Sequence, residues 1–198
     1  MLKINFSECT NLEEMYNLVM QEMPKAHGPG YEKYISKIRE FIRENNIKTF
    51  RETGTNQGCS TVSAMLSKPE YIETIDKNTL NIARRELLEE YCKKENIEFS
   101  VITSDTGGYY PKKPVEFTFI DCKHKRKHVM VVFNIHKNTT SKFIMFHDTN
   151  HPGLPGVSVA VNAIIKENKN TWEVHEINTD NVGYTILRSM HDYNIRRQ

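Results

Sequence analysis

The sequence is poor in the residues whose excess would mark a fibrous, disordered or disulfide-rich protein. Its 198 residues include 9 glycines, 7 prolines and 4 cysteines, and 27 Lys plus Arg nearly balance 25 Asp plus Glu. The low glycine and proline content excludes collagen-like and proline-rich chains. The cysteines form no C-x-x-C pair, so we expect free thiols rather than a disulfide framework or a structural zinc site. The balanced charge offers nucleic acid no broad basic surface, and we expect no such partner.

Long apolar runs are also missing. Val129–Phe133 and Val157–Val161 are among the longest, well short of the roughly 20 residues that span a membrane. Residues 1–8 lack the basic start and apolar stretch of a signal peptide. We therefore expect a cytoplasmic protein with no membrane partner. Its 38% hydrophobic content is sufficient for one globular core of ordinary size.

The spacing of apolar residues changes near residue 46. Before it, helical spacing predicts one helix that starts after Asn11 and a second over 31–42. After it, β-rich segments alternate with helical ones, as in βαβ units. Strands are predicted at 48–52, 71–75, 99–103, 115–120, 142–147, 172–177 and 183–187, and helices at 59–66, 79–94, 126–136 and 158–168. We predict an α/β protein: an N-terminal helical extension (1–46), then a domain (47–198) with a seven-stranded, mostly parallel sheet and helices on both faces.

Carboxylates follow most of the predicted parallel strands. Asp76, Asp105, Asp121 and Asp148 stand at or just after the ends of the second to fifth strands. Any one of them is explained equally well as a helix cap. Ligands of open parallel sheets, however, bind beyond the carboxyl ends of the strands, where the strand order reverses. Together these carboxylates favour a ligand site at that edge of the sheet.

A glycine turn follows the first predicted strand. Gly54 and Gly58 flank it, and glycine allows a ligand to approach the backbone closely. Asn56 stands where a dinucleotide fingerprint needs glycine, and the Gly-Lys-Ser/Thr of a phosphate-binding P-loop is absent. Asp76 at the end of the next strand could accept hydrogen bonds from both hydroxyls of a ribose. The combination favours an adenosine ligand without a diphosphate.

These motifs resemble the class I S-adenosylmethionine-dependent methyltransferases. The resemblance rests on Glu52-Thr53-Gly54 with Gly58 and Ser60, Ile75-Asp76, Phe119-Ile120-Asp121-x-x-His124, Phe146-His147-Asp148-Thr149, Pro155-Gly156-Val157 and Ala160-Val161. Within that superfamily it is nearest to the small metal-dependent O-methyltransferase branch of macrolide-sugar methyltransferases and cephalosporin-hydroxylase-like proteins. It covers about Ile47 to Leu187 and implies a Rossmann-like sheet whose last strand is antiparallel.

The resemblance also implies the site residues. Predicted contacts of the methyl donor, S-adenosylmethionine, are Glu52, Gly54, Thr55, Gly58, Ser60, Asp76 and Asp105. Asp121 and Asp148 are expected to hold Mg²⁺ or another divalent cation; from the residues themselves, Asn150 or His147 is expected to supply a further ligand or a hydrogen bond to one. The predicted catalytic residues are Asp121 and His124, the latter as the base. Without the resemblance, the basic run 123–128 around His124 favours a solvated surface.

The leading prediction is an enzyme: a Mg²⁺-assisted O-methyltransferase whose acceptor is a hydroxyl of a sugar or another polyhydroxylated small molecule. The alternative is a non-catalytic Rossmann-like module that binds a nucleoside and acts through protein partners. Nicotinamide-dependent redox chemistry is disfavoured by Asn56 in the glycine turn. The sequence leaves a homo-oligomer open and does not identify the acceptor.

Overall fold

The computed structural model of the chain describes residues 3–191, so residues 192–198 of the predicted second domain lie outside the described residues. Within that range the helices are Leu12–His27 (α1), Lys33–Glu44 (α2), Cys59–Met65 (α3), Arg85–Glu95 (α4), Arg126–His136 (α5) and Pro155–Glu167 (α6). The strands are Thr49–Thr53 (β1), Tyr71–Asp76 (β2), Glu98–Thr103 (β3), Val115–Ile120 (β4), Thr140–His147 (β5), Trp172–Asn178 (β6) and Tyr184–Ser189 (β7).

The seven strands form one sheet in the order β3-β2-β1-β4-β5-β7-β6. All neighbouring pairs are parallel except those made by β7, which runs antiparallel between β5 and β6. This confirms the predicted Rossmann-like α/β fold with a mostly parallel sheet and an antiparallel last strand. The strand order reverses between β1 and β4, and a ligand crevice is expected there.

The register brings the carboxyl ends of the central strands level with one another. Thr53 pairs with both Ile75 and Ile120, and Ile120 in turn pairs with Phe146. The next residue along each strand is therefore at the same height. These next residues are Gly54, Asp76, Asp121 and His147.

Helices cover both faces of the sheet. One core lies beneath α1 to α4 and contains Met15, Ile38, Phe50 and Phe117, while the other lies beneath α5 and α6. The predicted N-terminal helices thus share a core with the sheet. The predicted cap of α1 is present, because the Asn11 side chain accepts a hydrogen bond from the Glu14 N–H at 3.0 Å.

One predicted helix is interrupted. The segment 79–94 forms a short 3₁₀ turn at Thr79–Asn81 and then α4, because Arg84 between them adopts a left-handed backbone conformation (φ 47°). Its guanidinium donates hydrogen bonds to the carbonyls of Phe6, Ser7 and Cys9. Contacts with a distant segment therefore override the local helical spacing.

Among the described residues no helix is both long and apolar enough to cross a membrane. All four cysteines are free thiols, as the sequence predicts.

Candidate active site

A cleft of about 420 Å³ opens at the carboxyl ends of β1, β2, β4 and β5. The structure brings six predicted site residues to its lining: Gly54, Asp76, Asp105, Asp121, His124 and Asp148. The opposite wall comes from the N-terminal part of the chain. It is formed by Ile4, Met23, His27, Tyr31 and Tyr34. The predicted N-terminal helical extension thus contributes one wall of the cleft.

Asp121, His124 and Asp148 form an acid–histidine cluster at the centre of the cleft. One possible ligand atom from each residue lies within 4.8 Å of the others. The His124 Nε2 atom is 2.8 Å from Asp148 Oδ2 and 3.3 Å from Asp121 Oδ1. The strand register explains the meeting, because Asp121 directly follows β4 and Asp148 directly follows β5.

The charges in this cluster are strongly coupled. Hydrogen bonds to Asp121 and Asp148 raise the pKa of His124 to about 10, although burial opposes the shift. Burial also tends to raise the pKa of Asp121, but the neighbouring His147 and His124 outweigh it and hold that pKa below the usual range. His124 therefore carries a proton near neutral pH.

Buried polar atoms in the acid–histidine cluster and in the adjacent His147 lack hydrogen-bond partners. Among residues 3–191, Asp148 Oδ1 has no hydrogen-bond partner, and neither ring nitrogen of His147 has one. Burying such groups is unfavourable unless a ligand, ion or water satisfies them. Carboxylate oxygens are the ligands that Mg²⁺ prefers, so the donor set fits a hard divalent cation.

Gly54 determines how closely β1 approaches β4. Its φ is +93°, and a Cβ atom placed there would lie 1.8 Å from the carbonyl oxygen of Asp121. A side chain at this position is therefore excluded by the protein itself. The glycine turn and the cluster are in direct backbone contact.

Asp76 is held beside the glycine turn. Its Oδ2 accepts a hydrogen bond from the Asn56 N–H at 3.0 Å, and its Oδ1 accepts one from the Asn78 N–H at 2.9 Å. Each carboxylate oxygen can accept a further hydrogen bond. Asp76 is thus oriented at the cleft with acceptor capacity left for a ligand.

Four predicted donor contacts are not part of the cleft lining given above: Glu52, Thr55, Gly58 and Ser60. The Glu52 carboxylate is fully buried and accepts hydrogen bonds from the hydroxyls of Ser60, Thr61 and Thr74, while the Thr55 hydroxyl bonds that of Thr74. Burial raises the pKa of Glu52 to about 7 against these hydrogen bonds. Gly58, the residue just before α3, has a left-handed backbone conformation (φ 85°). All four residues thus have a structural part in or around the glycine turn. Direct contact between any of them and a methyl donor stays a prediction.

Asp105 and Asn150 have different surroundings. Asp105 lies on the rim, where its Oδ2 is 3.1 Å from Lys123 Nζ and its Oδ1 accepts a hydrogen bond from the Gly107 N–H. The Asn150 side-chain amide donates to the backbone carbonyls of Thr179, at 2.7 Å, and Asn181. Asn150 therefore points toward the loop before β7, and its role as a metal ligand stays a prediction that this geometry does not favour.

The structure adds an aromatic wall that the sequence analysis did not foresee. The ring centroid of Tyr34 is 3.9 Å from that of His147, and Tyr31 meets the same imidazole edge-on at 5.8 Å. His27 stacks on Tyr31 at 4.2 Å. The helical spacing of Tyr31 and Tyr34 predicts a buried face but does not reveal what that face contacts.

Comparison with known proteins gives structural neighbours only: no family model and no curated protein matches the sequence. An O-methyltransferase from Bacillus cereus in complex with SAH has a TM-score of 0.62 at 13% identity, over 93% of this chain and 94% of that one. SAH-bound PaMTH1, a methyltransferase from Podospora anserina, has a TM-score of 0.62 at 16% identity over 90% and 87%. TomG, an O-methyltransferase from Streptomyces achromogenes involved in tomaymycin synthesis, was solved with SAM and has a TM-score of 0.60 at 13% identity over 92% and 91%.

At these identities the likeness shows a shared fold along nearly the whole chain. Two of the three neighbours cover more than 90% of this chain.

Proposed function

We propose that this protein is an S-adenosylmethionine-dependent O-methyltransferase, assisted by Mg²⁺ or another divalent cation, that methylates a hydroxyl of a sugar or another polyhydroxylated small molecule. One observation carries the proposal: the Gly54 turn with Asp76 and the acid–histidine cluster line a single cleft. That cleft lies at the strand-order reversal of a fold shared with SAM- and SAH-bound methyltransferases.

The donor would lie over the glycine turn. Asp76 would accept hydrogen bonds from the ribose hydroxyls, since its carboxylate is already oriented by the Asn56 and Asn78 N–H groups. Asp105 on the rim would border the adenine. The sulfonium methyl would then point toward the acid–histidine cluster, where Gly54 contacts Asp121.

The acceptor would lie between the cluster and the aromatic wall. Methyl transfer requires an acceptor oxygen that is aligned with the methyl group and relieved of its proton. Asp121 and Asp148 would hold the cation, which when bound lowers the pKa of a coordinated hydroxyl and fixes its position. His124 is the candidate base, because its Nε2 lies beside the two carboxylates where the acceptor hydroxyl would be held, 2.8 Å from Asp148 Oδ2 and 3.3 Å from Asp121 Oδ1.

His124 can accept a proton only if it first loses the one that the two carboxylates retain. Hydrogen bonds to Asp121 and Asp148 hold its pKa at about 10. A cation bound by Asp121 and Asp148 would compete for these hydrogen-bonding oxygens and offset their negative charge, which would favour base function at His124. Tyr31 and Tyr34 exclude water from one side and offer rings against which a sugar or an aromatic acceptor could pack.

Calorimetric titration with S-adenosylhomocysteine, the product of the donor, tests the proposal. We expect micromolar binding to the wild type and no binding of NAD, the control ligand. Asp76→Ala should weaken binding about 5- to 150-fold, which corresponds to about 1–3 kcal/mol for a lost partner of buried hydrogen-bonding groups. Glu90→Ala, which removes an exposed carboxylate on α4, is the matched control and should bind as the wild type does.

The second part of the test concerns the acceptor. Transfer of a labelled methyl group to a panel of sugars and other polyols should occur with Mg²⁺ and stop with EDTA. Binding of S-adenosylhomocysteine without transfer to any acceptor would favour the nucleoside-binding module. Failure to bind it, with or without Mg²⁺, would contradict the enzyme proposal itself.

A further inference from the structure

His147 is a buried histidine that the proposed reaction leaves without a task. It is the last residue of β5 and only 2% exposed. Its Nδ1 atom is 3.3 Å from Asp121 Oδ1 and 3.5 Å from Asp148 Oδ1, yet neither ring nitrogen makes a hydrogen bond within residues 3–191. One nitrogen therefore touches both carboxylates of the cluster at once.

The two histidines of the site occupy different positions. His124 lies on the cleft side, with 34% of its side chain exposed, whereas His147 lies on the interior side. His124 follows β4 in a loop, and His147 belongs to a strand paired on both sides. His124 can therefore respond to an acceptor, while His147 is a fixed part of the framework.

Aromatic rings hold the His147 imidazole in place. Tyr34 packs against it with a centroid separation of 3.9 Å, Tyr31 meets it edge-on at 5.8 Å, and Phe119 lies at 6.3 Å. Close-packed neighbours on this scale leave a ring little freedom to turn away. Its Nδ1 consequently stays between the two carboxylates.

We propose that His147 is a positioning residue for the cation: its Nδ1, within 3.5 Å of both carboxylates, is placed to donate a hydrogen bond to Asp121 or Asp148 and so to keep the two at the separation that a divalent cation requires. This rests on the proposed function, because it assumes that these carboxylates bind a cation. An unpartnered, buried nitrogen in contact with both carboxylates is the observation behind it. Partners of this kind, one step removed from a metal, typically change its affinity 10- to 100-fold when lost.

The experiment measures Mn²⁺ binding directly, from the loss of the free Mn²⁺ signal in electron paramagnetic resonance. We expect His147→Phe, which fills the space with a ring but removes the nitrogens, to bind Mn²⁺ about 10- to 100-fold more weakly than the wild type. His147→Asn, whose amide can donate from near the Nδ1 position, should restore most of that affinity. His147→Gln, whose amide reaches the Nε2 position instead, should not.

Two controls separate positioning from a structural defect. His136→Phe makes the same exchange at a fully buried histidine outside the cleft and should leave Mn²⁺ affinity unchanged. Calorimetric binding of S-adenosylhomocysteine should be the same in all variants, which would show that each has folded.

Each remaining outcome counts against the inference. Wild-type affinity for Mn²⁺ in His147→Phe would overturn it, and so would a loss in His147→Asn as large as in His147→Phe. Absence of Mn²⁺ binding by the wild type would overturn both this inference and the cation of the proposed function, while intact binding of S-adenosylhomocysteine would keep the donor site. Absence of S-adenosylhomocysteine binding by the wild type would instead contradict the proposed function as a whole.

Discussion

Gly54 has no side chain at the point where the end of β1 meets the backbone of Asp121. A Cβ atom there would lie 1.8 Å from the Asp121 carbonyl oxygen, and φ is +93°. A non-glycine residue in a left-handed conformation costs about 1–2 kcal/mol before any collision is counted. Gly54 is therefore both the first residue of the glycine turn and the residue that lets this turn approach the cluster.

We expect Gly54→Ala to lower the free energy of unfolding by more than about 2 kcal/mol, because strain and steric overlap act together. Urea denaturation of the variant and the wild type measures this difference. Gly108→Ala is the matched control, since its Cβ would meet its nearest atom at an ordinary 3.7 Å. A Gly54→Ala protein as stable as the wild type would mean that the β1 and β4 ends can separate without cost.

At the scale of secondary structure, a buried ion pair joins β1 to β2. Arg51 and Glu73 are directly paired in the register, and the Arg51 Nε atom donates to Glu73 Oε1 at 2.5 Å. The hydroxyls of Tyr71 and Tyr109 donate to the other Glu73 oxygen, each at 3.0 Å. Arg51 is fully buried, and among residues 3–191 Glu73 is the one carboxylate that is paired with its charge.

Glu73→Gln should lower the free energy of unfolding by about 3–5 kcal/mol, because it leaves the Arg51 charge buried and uncompensated. Replacing both residues with apolar ones, Arg51→Met with Glu73→Leu, should cost less than the single change, since no unpaired charge remains. Urea denaturation of the three proteins at neutral pH tests the order. A double variant less stable than Glu73→Gln would contradict the expected order.

The order and type of these elements could largely be predicted from the sequence. Apolar spacing predicts every strand within a few residues, because burial on one or both faces leaves a pattern in the chain itself. Contacts between distant segments leave no such pattern. The break at Arg84 depends on carbonyls more than 70 residues away, and it was therefore predicted as continuous helix.

The same distinction applies to the candidate site: positions set by the strand ends could be predicted, and positions set by distant contacts could not. Asp76, Asp121 and Asp148 could be placed at one edge because parallel strands end together. The inward orientation of Glu52 depends on which face of β1 it occupies beside Ser60, and the wall of Tyr31 and Tyr34 depends on where α2 packs. Neither can be inferred from local spacing.

Across the whole molecule, the N-terminal segment and the glycine turn form one structure. The Gln57 side chain, within the glycine turn, accepts a hydrogen bond from the Ile4 N–H at 3.0 Å and donates one to the Ile4 carbonyl at 2.9 Å. The Asn181 side chain, next to β7, donates to the carbonyl of Pro29 at 3.0 Å. The segment before β1 is therefore tied both to the turn after β1, in the middle of the sheet, and to the loop between β6 and β7, so that the cleft wall and the sheet should unfold together.

The two faces of the sheet carry buried groups whose titrations oppose each other. Burial raises the pKa of Glu52 from 4.5 to about 7, against hydrogen bonds from Ser60, Thr61 and Thr74. Burial and the nearby Arg51 lower the pKa of His136 from 6.5 to about 3. Between pH 4.5 and 7 the folded protein therefore holds more protons than the unfolded chain at Glu52. Between pH 3 and 6.5 it holds fewer at His136.

Stability rises with pH wherever the unfolded chain binds more protons, by at most about 1.4 kcal/mol per pH unit for one group. Glu52 thus makes stability fall as the pH rises from 4.5 to 7, whereas His136 makes it rise from pH 3 to 6.5. Removing either group should reveal the effect of the other on stability.

Relative to the wild type, the free energy of unfolding of His136→Phe should decline more steeply with rising pH between 4.5 and 6.5, and that of Glu52→Gln should climb more steeply. Urea denaturation of all three proteins at half-unit steps from pH 4.5 to 7 measures these slopes. Differences from the wild type cancel the contribution of the acid–histidine cluster, which all three share. Parallel curves for all three proteins would mean that neither group titrates abnormally in the folded protein. Slopes that change in the opposite directions would contradict the signs of the two pKa shifts.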